Sequence, residues 1–310
     1  MHASRFAAFG LAVSSALTST AQVIGIVNDF GGDPRFGASM VVSDDITGDG
    51  LPDLIVGYTF AFADTNEIFV ATPARNPSPT GVNPLGRLLG DSLDDFGVVV
   101  GGGADLNGDG VPDILAAEPG SDEVGVNSGR VLAIDGSNGA ELGWATAGFA
   151  LERFGESLLV VPDATGDGVA DIVAASPNGD GARGRIALID GAGIGGGSTG
   201  TAAIRWTATP GVNTGDRYGL DFAVLDDLTG DGRPEVAIGG NGRVVVLQLT
   251  NGQPAGFFFD GGSSFLSGAG QFGASLSSGA DYNGDGVNDL LVGQPNGGGT
   301  DPDFGGINSL

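Results

Sequence analysis

Short apolar runs, set apart by stretches rich in glycine, asparagine and proline, dominate the chain. Five of them are "LIVG" (54–57), "ILAA" (114–117), "IVAA" (172–175), "VAIG" (236–239) and "LLVG" (290–293). Runs of this length suit a buried strand and are too short for a helix. Each is preceded by a segment such as "FGASMVV" (36–42) or "FGESLLVV" (154–161). A third segment follows each run: "EIFVA" (67–71), "GRVLAID" (129–135), "GRIALID" (184–190), "GRVVVLQL" (242–249) and "GGINSL" (305–310). A fourth is "GRLLGD" (86–91), "LGWATAG" (142–148), "IRWTATPG" (204–211) or "AGFFFDGG" (255–262). The punctuation predicts turns between strands throughout, and no sustained helical period appears after residue 21.

Between the first and second segment of every unit lies an acidic, glycine-rich stretch. The copies are "DITGDGLPD" from Asp45, "DLNGDGVPD" from Asp105, "DATGDGVAD" from Asp163, "DLTGDGRPE" from Asp227 and "DYNGDGVND" from Asp281. An aromatic-glycine pair starts nine residues before each one: Phe36-Gly37, Phe96-Gly97, Phe154-Gly155, Tyr218-Gly219 and Phe272-Gly273. The intervals between copies vary, at 60, 58, 64 and 54 residues. Constant inner spacing with variable outer spacing marks repeated structural units whose loops absorb insertions. Four short strands per unit predict an all-β propeller of five four-stranded blades. The fifth unit has three strands before the chain ends, and "VIGIVND" (23–29) precedes the first. That N-terminal strand is expected to complete the last blade, the alternative being a five-blade arc of a longer protein.

Composition sharpens the reading. Sixty glycines without a three-residue period exclude collagen and agree with many tight turns. Residues 1–21 have a short basic start, an apolar stretch too short to span a bilayer and the small-residue end "STA", the order of a secretory signal. Residues 22–310 would then form the propeller, secreted to the extracellular space, periplasm or cell surface. No later apolar run has transmembrane length, so no membrane insertion is expected. The formal charge is −26, and loss of Arg5 with the leader leaves the mature chain one unit more negative. Such a charge disfavours nucleic acid and anionic lipid as partners. The chain has no cysteine, so disulfides cannot supply stability.

The acidic stretches are candidate Ca2+ loops. Positions 1, 3, 5, 7 and 9 offer oxygen: Asp45, Thr47, Asp49, Leu51 (carbonyl) and Asp53 in loop one, and Asp105, Asn107, Asp109, Val111 and Asp113 in loop two. Loop three offers Asp163, Thr165, Asp167, Val169 and Asp171; loop four Asp227, Thr229, Asp231, Arg233 and Glu235; loop five Asp281, Asn283, Asp285, Val287 and Asp289. Hard oxygens at alternate positions of a tight loop suit Ca2+, which takes six to eight of them. The apolar residue at position 2 is expected to point away from the ion. These are not EF-hands, because position 12 carries an apolar residue in every copy instead of a bidentate glutamate. Zinc and copper would want His or Cys, and the mature chain has neither. Threonine at position 3 is the weaker ligand, and Arg233 and Glu235 mark loop four as the expected weakest site.

The pattern F-G-x-S…D-x-N-G-D-G-x-x-D-L-x-V-G-x-P, closest in "FGASLSSGADYNGDGVNDLLVGQP" (272–295), resembles the FG-GAP repeats of integrin α-chain β-propellers and their bacterial relatives. The resemblance covers all five units. It implies a β-propeller with structural Ca2+ in each matching loop, up to five ions. Two departures are that integrin propellers have seven blades and that no D-x-S-x-S inserted-domain metal motif is present.

The expected function is a non-enzymatic calcium-stabilised adhesion or interaction module binding extracellular protein or glycan. The mature chain has no His, Cys or Lys to serve as general base or nucleophile, and Glu118, Glu123, Glu141 and Glu152 show no catalytic constellation. Alternatives are a lectin stacking sugar on Trp144 and Trp206, or the propeller part of a polysaccharide-active enzyme. "SNG" (137–139) and "TNG" (250–252) read as hairpin turns, and "GAGIGGGSTG" (191–200) as a flexible loop without the Lys-Ser/Thr of a P-loop.

Overall fold

The computed structural model describes residues 36–58, 65–71, 82–91, 94–260, 272–284, 286–294 and 306–309. The expected leader (1–21) and the N-terminal strand that would complete the last blade lie outside these residues.

The described residues form five antiparallel sheets, each a meander in chain order. The first comprises β1 (Phe36–Ser43), β2 (Asp53–Tyr58), β3 (Thr65–Ala71) and β4 (Val82–Asp91). The second comprises β5 (Val100–Ala104), β6 (Asp113–Glu118), β7 (Arg130–Ile134) and β8 (Glu141–Ala145). The third is β9 (Ser157–Val161), β10 (Asp171–Ser176), β11 (Arg185–Ile189) and β12 (Ile204–Ala208). The fourth is β13 (Phe222–Val224), β14 (Glu235–Gly239), β15 (Arg243–Gln248) and β16 (Pro254–Asp260). The fifth has three described strands, β17 (Ser275–Ala280), β18 (Asp289–Gln294) and β19 (Gly306–Ser309).

Consecutive sheets stack face to face, and the alternation of side chains along each second strand shows it. On β6, Ile114 and Ala116 pack with Ile55 and Ile68 of the first sheet, while Leu115 packs with Ile172 and Ala174 of the third. On β10, Val173 and Ala175 turn the other way, toward Val236 and Ile238 of the fourth. Ala237 then faces Leu290 and Val292 of the fifth. A strand covered on both faces must be apolar at every position, which is why these runs show no polar alternation. This face-to-face succession of four-stranded meanders is the blade packing of a β-propeller.

The aromatic-glycine pairs close the interfaces. Phe96, Phe154, Tyr218 and Phe272 are buried between their own sheet and the preceding one. The glycine that follows each one donates its N–H to the second strand of its own sheet, as in Gly97 to Ala117 and Gly155 to Ala175 at 2.9 Å. Phe36 lies where its side chain is not described.

One segment departs from expectation. "GAGIGGGSTG" is not a flexible loop: Gly191–Gly195 forms one helical turn, with the Asp190 side chain accepting from Gly193. Ile194 is fully buried in the core between the second and third sheets. The carbonyls of Ser198 and Gly200 accept from Trp144 and Thr146, covering the outer edge beside β8. A single buried isoleucine anchors a segment whose glycine content reads as slack.

Candidate metal centres in the acidic loops

Each acidic loop joins the first strand of a sheet to the second, so all five repeat at the same place in the fold. Their local conformation is shared. The two glycines have positive φ in every copy, for example 79° and 88° at Gly108 and Gly110. A side chain at either position would sit in the disfavoured left-handed region. The first aspartate gathers the amides that this curl exposes. Asp105 accepts from Gly108 at 2.7 Å and Gly110 at 2.8 Å, and Asp45, Asp163, Asp227 and Asp281 do the same in their own loops. The fifth-position carboxylates of Asp49, Asp109, Asp167 and Asp231 accept the N–H of Leu51, Val111, Val169 and Arg233. Asp285 lies outside the described residues.

The ninth position is different in kind. Asp53, Asp113, Asp171, Glu235 and Asp289 are all buried, the most open being Asp289 at 6% exposure. One oxygen of each accepts the N–H of the position-2 residue: Ile46, Leu106, Ala164, Leu228 and Tyr282. In the second and third units the other oxygen reaches out of the loop, to Gly136 and Gly191 at 3.0 Å, just past the third strand. Those two glycines close the shared segments GRVLAIDG (129–136) and GRIALIDG (184–191), a recurrence outside the acidic motif that marks them. At the same offset the first unit has Pro73, which has no N–H. Asp53 Oδ1 is buried without a hydrogen-bond partner among the described residues.

The electrostatics follow the same division. Burial pushes the carboxyls of Asp53, Asp113 and Asp171 above the usual range, against the backbone amides that pull them down. At Asp163 the amides of Gly168 and Gly166 win and hold the carboxyl low, with Arg233 adding to the effect. At Asp45 burial opposes, but the amides of Gly50, Gly48 and Asp49 outweigh it. A buried carboxylate disfavouring its own charge, beside two exposed ones, is relieved by a cation. The donor set fits a hard one: oxygens only, with lone pairs left on every carboxylate. The site in loop one has in addition the Asp53 oxygen that is unpartnered among the described residues.

The third-position residues divide. Asn107 accepts from Asp109 at 2.8 Å, and Asn283 donates to Asp289 at 3.1 Å. Thr47 and Thr165 turn toward the first aspartate of their loops, and Thr229 donates to Glu235 at 2.7 Å. At position 2, Ile46, Leu106 and Ala164 enter the core, whereas Leu228 and Tyr282 are exposed. Loop four, expected to be the weakest, brings Asp227, Asp231 and Glu235 within 4.8 Å of one another. The extra methylene of Glu235 carries its carboxylate toward the loop mouth, where Oε1 meets Thr229.

Three of the four other candidate acids are engaged structurally. Glu118 and Glu123 pair with Arg130, and Glu152 with Arg185. Glu141 is exposed at the start of β8. Trp144 lies under the Arg130 guanidinium, 5.7 Å from its ring, and Trp206 donates its indole N–H to Leu249 at 2.8 Å.

Residues 36–79 and 96–134 match the family described as FG-GAP repeat, and residues 227–292 match the FG-GAP-like repeat. This is an FG-GAP repeat protein. The third FG-GAP unit, from Phe154, lies outside those matched segments yet builds the same loop. Integrin alpha-7 of Homo sapiens is 32% identical over 146 residues, covering 46% of this chain and 12% of the integrin. The FG-GAP chain thus spans a small part of that relative's length. Among solved structures, BBS1N in complex with ARL6DN, soaked with lead, superposes with a TM-score of 0.46 at 12% identity. That superposition covers 83% of this chain and 63% of the other.

Proposed function

We propose that this FG-GAP chain is a secreted, non-enzymatic, calcium-stabilised propeller that acts as an adhesion or interaction module for extracellular protein. The observation that carries the reading is the recurrence of one oxygen-only loop conformation at the same place in five sheets. Each loop ends in a buried carboxylate, and a bound Ca2+ would be held by positions 1, 3, 5, 7 and 9. The ion supplies charge neutralisation between the first two strands of a blade. The chain's own residues curl the loop, present the carboxylates and tie them to the sheet.

Support for an interaction role comes from the opposite loops. The segment between β6 and β7 and the segment between β8 and β9 lie side by side, with Leu151 N–H donating to Val126 at 2.7 Å. They expose Val124, Val126, Phe149 and Leu151, the last at 68%. Asn127, Leu151 and Arg153 hold positive φ without being glycine, a cost retained at functional sites more than elsewhere. Apolar side chains on a hydrogen-bonded, strained platform suit a protein partner. Both tryptophans are engaged within the fold, which favours protein over stacked sugar. No helix among the described residues is long and apolar enough to cross a membrane.

Calorimetry with EGTA and with millimolar Ca2+ tests the proposal. Calcium is expected to raise the melting temperature and to bind at several ions per chain. Identical melting in both conditions would refute the calcium reading.

A further inference from the structure

Arg233 stands at position 7 of loop four, where the other loops have Leu51, Val111, Val169 and Val287. Its backbone N–H stays with its own loop, donating to Asp231 Oδ1 at 2.9 Å. Its side chain leaves. Nη1 donates to the backbone carbonyl of Asp163, the first residue of loop three, at 2.5 Å. A Cβ placed on Gly166 would meet Nη2 at 2.9 Å, so the guanidinium lies directly against loop three. Arg205 and Asp167 both line a cleft of about 440 Å3, together with Thr165 and Thr250. Arg205 pairs there with the buried Asp190, so Arg233 is the arginine whose charge acts on loop three. Loop four receives no such cation from loop five. There the neighbouring donor is uncharged, Asn288 donating to both oxygens of Asp226 at 2.9 and 3.1 Å.

We infer that loop three, not loop four, is the weakest cation site of the protein, because Arg233 serves there as a resident cation supplied by the adjacent blade. The inference rests on the calcium reading above and orders the loops within it. A fixed positive charge against loop three relieves the repulsion among Asp163, Asp167 and Asp171 when no ion is present. It also repels an arriving divalent ion, a cost of the same origin. Loop four has lost that charge to its neighbour and keeps three carboxylates within 4.8 Å. The side chain that weakens a site in the linear sequence therefore weakens the site one blade away. Arg233 is a positioning residue and not itself a ligand through its side chain.

Native mass spectrometry of the full chain at stepped free Ca2+ counts the ions, and Asp167→Asn and Asp231→Asn assign them. Asp167→Asn is expected to delete the last ion to bind, and Asp231→Asn an earlier one. Arg233→Gln removes the charge, and its side chain, two atoms shorter, also withdraws from loop three. It is expected to shift the last binding step to about three- to tenfold lower free Ca2+, and to lower the melting temperature in EGTA. Arg233→Lys restores the charge and should behave as the wild type in both measurements. The inference is overturned if Asp231→Asn deletes the weakest ion, or if the Gln and Lys variants have the same calcium midpoints. Either result leaves calcium binding itself intact. A wild type that binds no ion at millimolar Ca2+ overturns both readings.

Discussion

The carboxylate of Asp113 accepts the backbone N–H of Gly136 at 3.0 Å, across 23 residues of chain. Its other oxygen accepts from Leu106 at 2.8 Å, so one buried side chain clamps the acidic loop to the end of β7. Asp113→Ala leaves two buried N–H groups without a partner. The expected loss is about 2–4 kcal/mol, an unmet buried donor costing roughly 1–3 kcal/mol and release of a buried charge offsetting part of it. Urea unfolding in EGTA measures it free of any ion. Asp113→Asn retains one acceptor and should lose less.

Asp109 sits exposed at position 5 of the same loop and accepts the N–H of Val111 at 2.8 Å. Asp109→Ala is expected to remove one bound ion per chain. It should lower stability in millimolar Ca2+ by about 1–2 kcal/mol, the binding contribution of one extracellular-type site. The two measurements are ion counting and thermal melting with Ca2+. An unchanged ion count would show that loop two is not a cation site.

The pH dependence in EGTA should run opposite to that of a protein held by favourable carboxylates. Burial raises Asp53, Asp113 and Asp171 above their unfolded value of 3.8. The folded state then binds more protons than the unfolded state between 3.8 and the folded values. In that window stability falls as pH rises, and the penalty stays in place at neutral pH. The lowered carboxyls Asp45 and Asp163 contribute stability that is lost only as pH falls below 3.8. Urea midpoints without calcium should therefore fall as pH rises above 3.8, and Ca2+ at pH 7 should recover the difference. A midpoint that rises steadily from pH 4.5 to 7 in EGTA would contradict this.

Leu151 combines 68% exposure with a φ of 69°. Leu151→Asn, which tolerates that conformation, should leave stability unchanged or raise it by up to about 1 kcal/mol. Chemical denaturation reads the effect. If a protein partner docks on this surface, the same variant should weaken its binding, so that stability and function move in opposite directions.

Much of this molecule could be read directly from its residues. The five loops arise from interactions a few positions apart, and each sheet pairs strands that follow one another in the chain. Asp-Gly curls need positive φ wherever they occur, and a four-residue apolar run between turns has few ways to be buried. Such signals survive translation into a linear string because their partners are close in the string. Three features were not readable in that way. The clamp from Asp113 to Gly136, the buried anchor Ile194 in a glycine-rich segment and the reach of Arg233 to Asp163, 70 residues away, all depend on which surfaces come together. Arg233 shows the reason most plainly. Its position in the motif marks it as an intruder in loop four, but a side chain acts where its charged end lies, and stacking of one blade against the next carries that end into loop three.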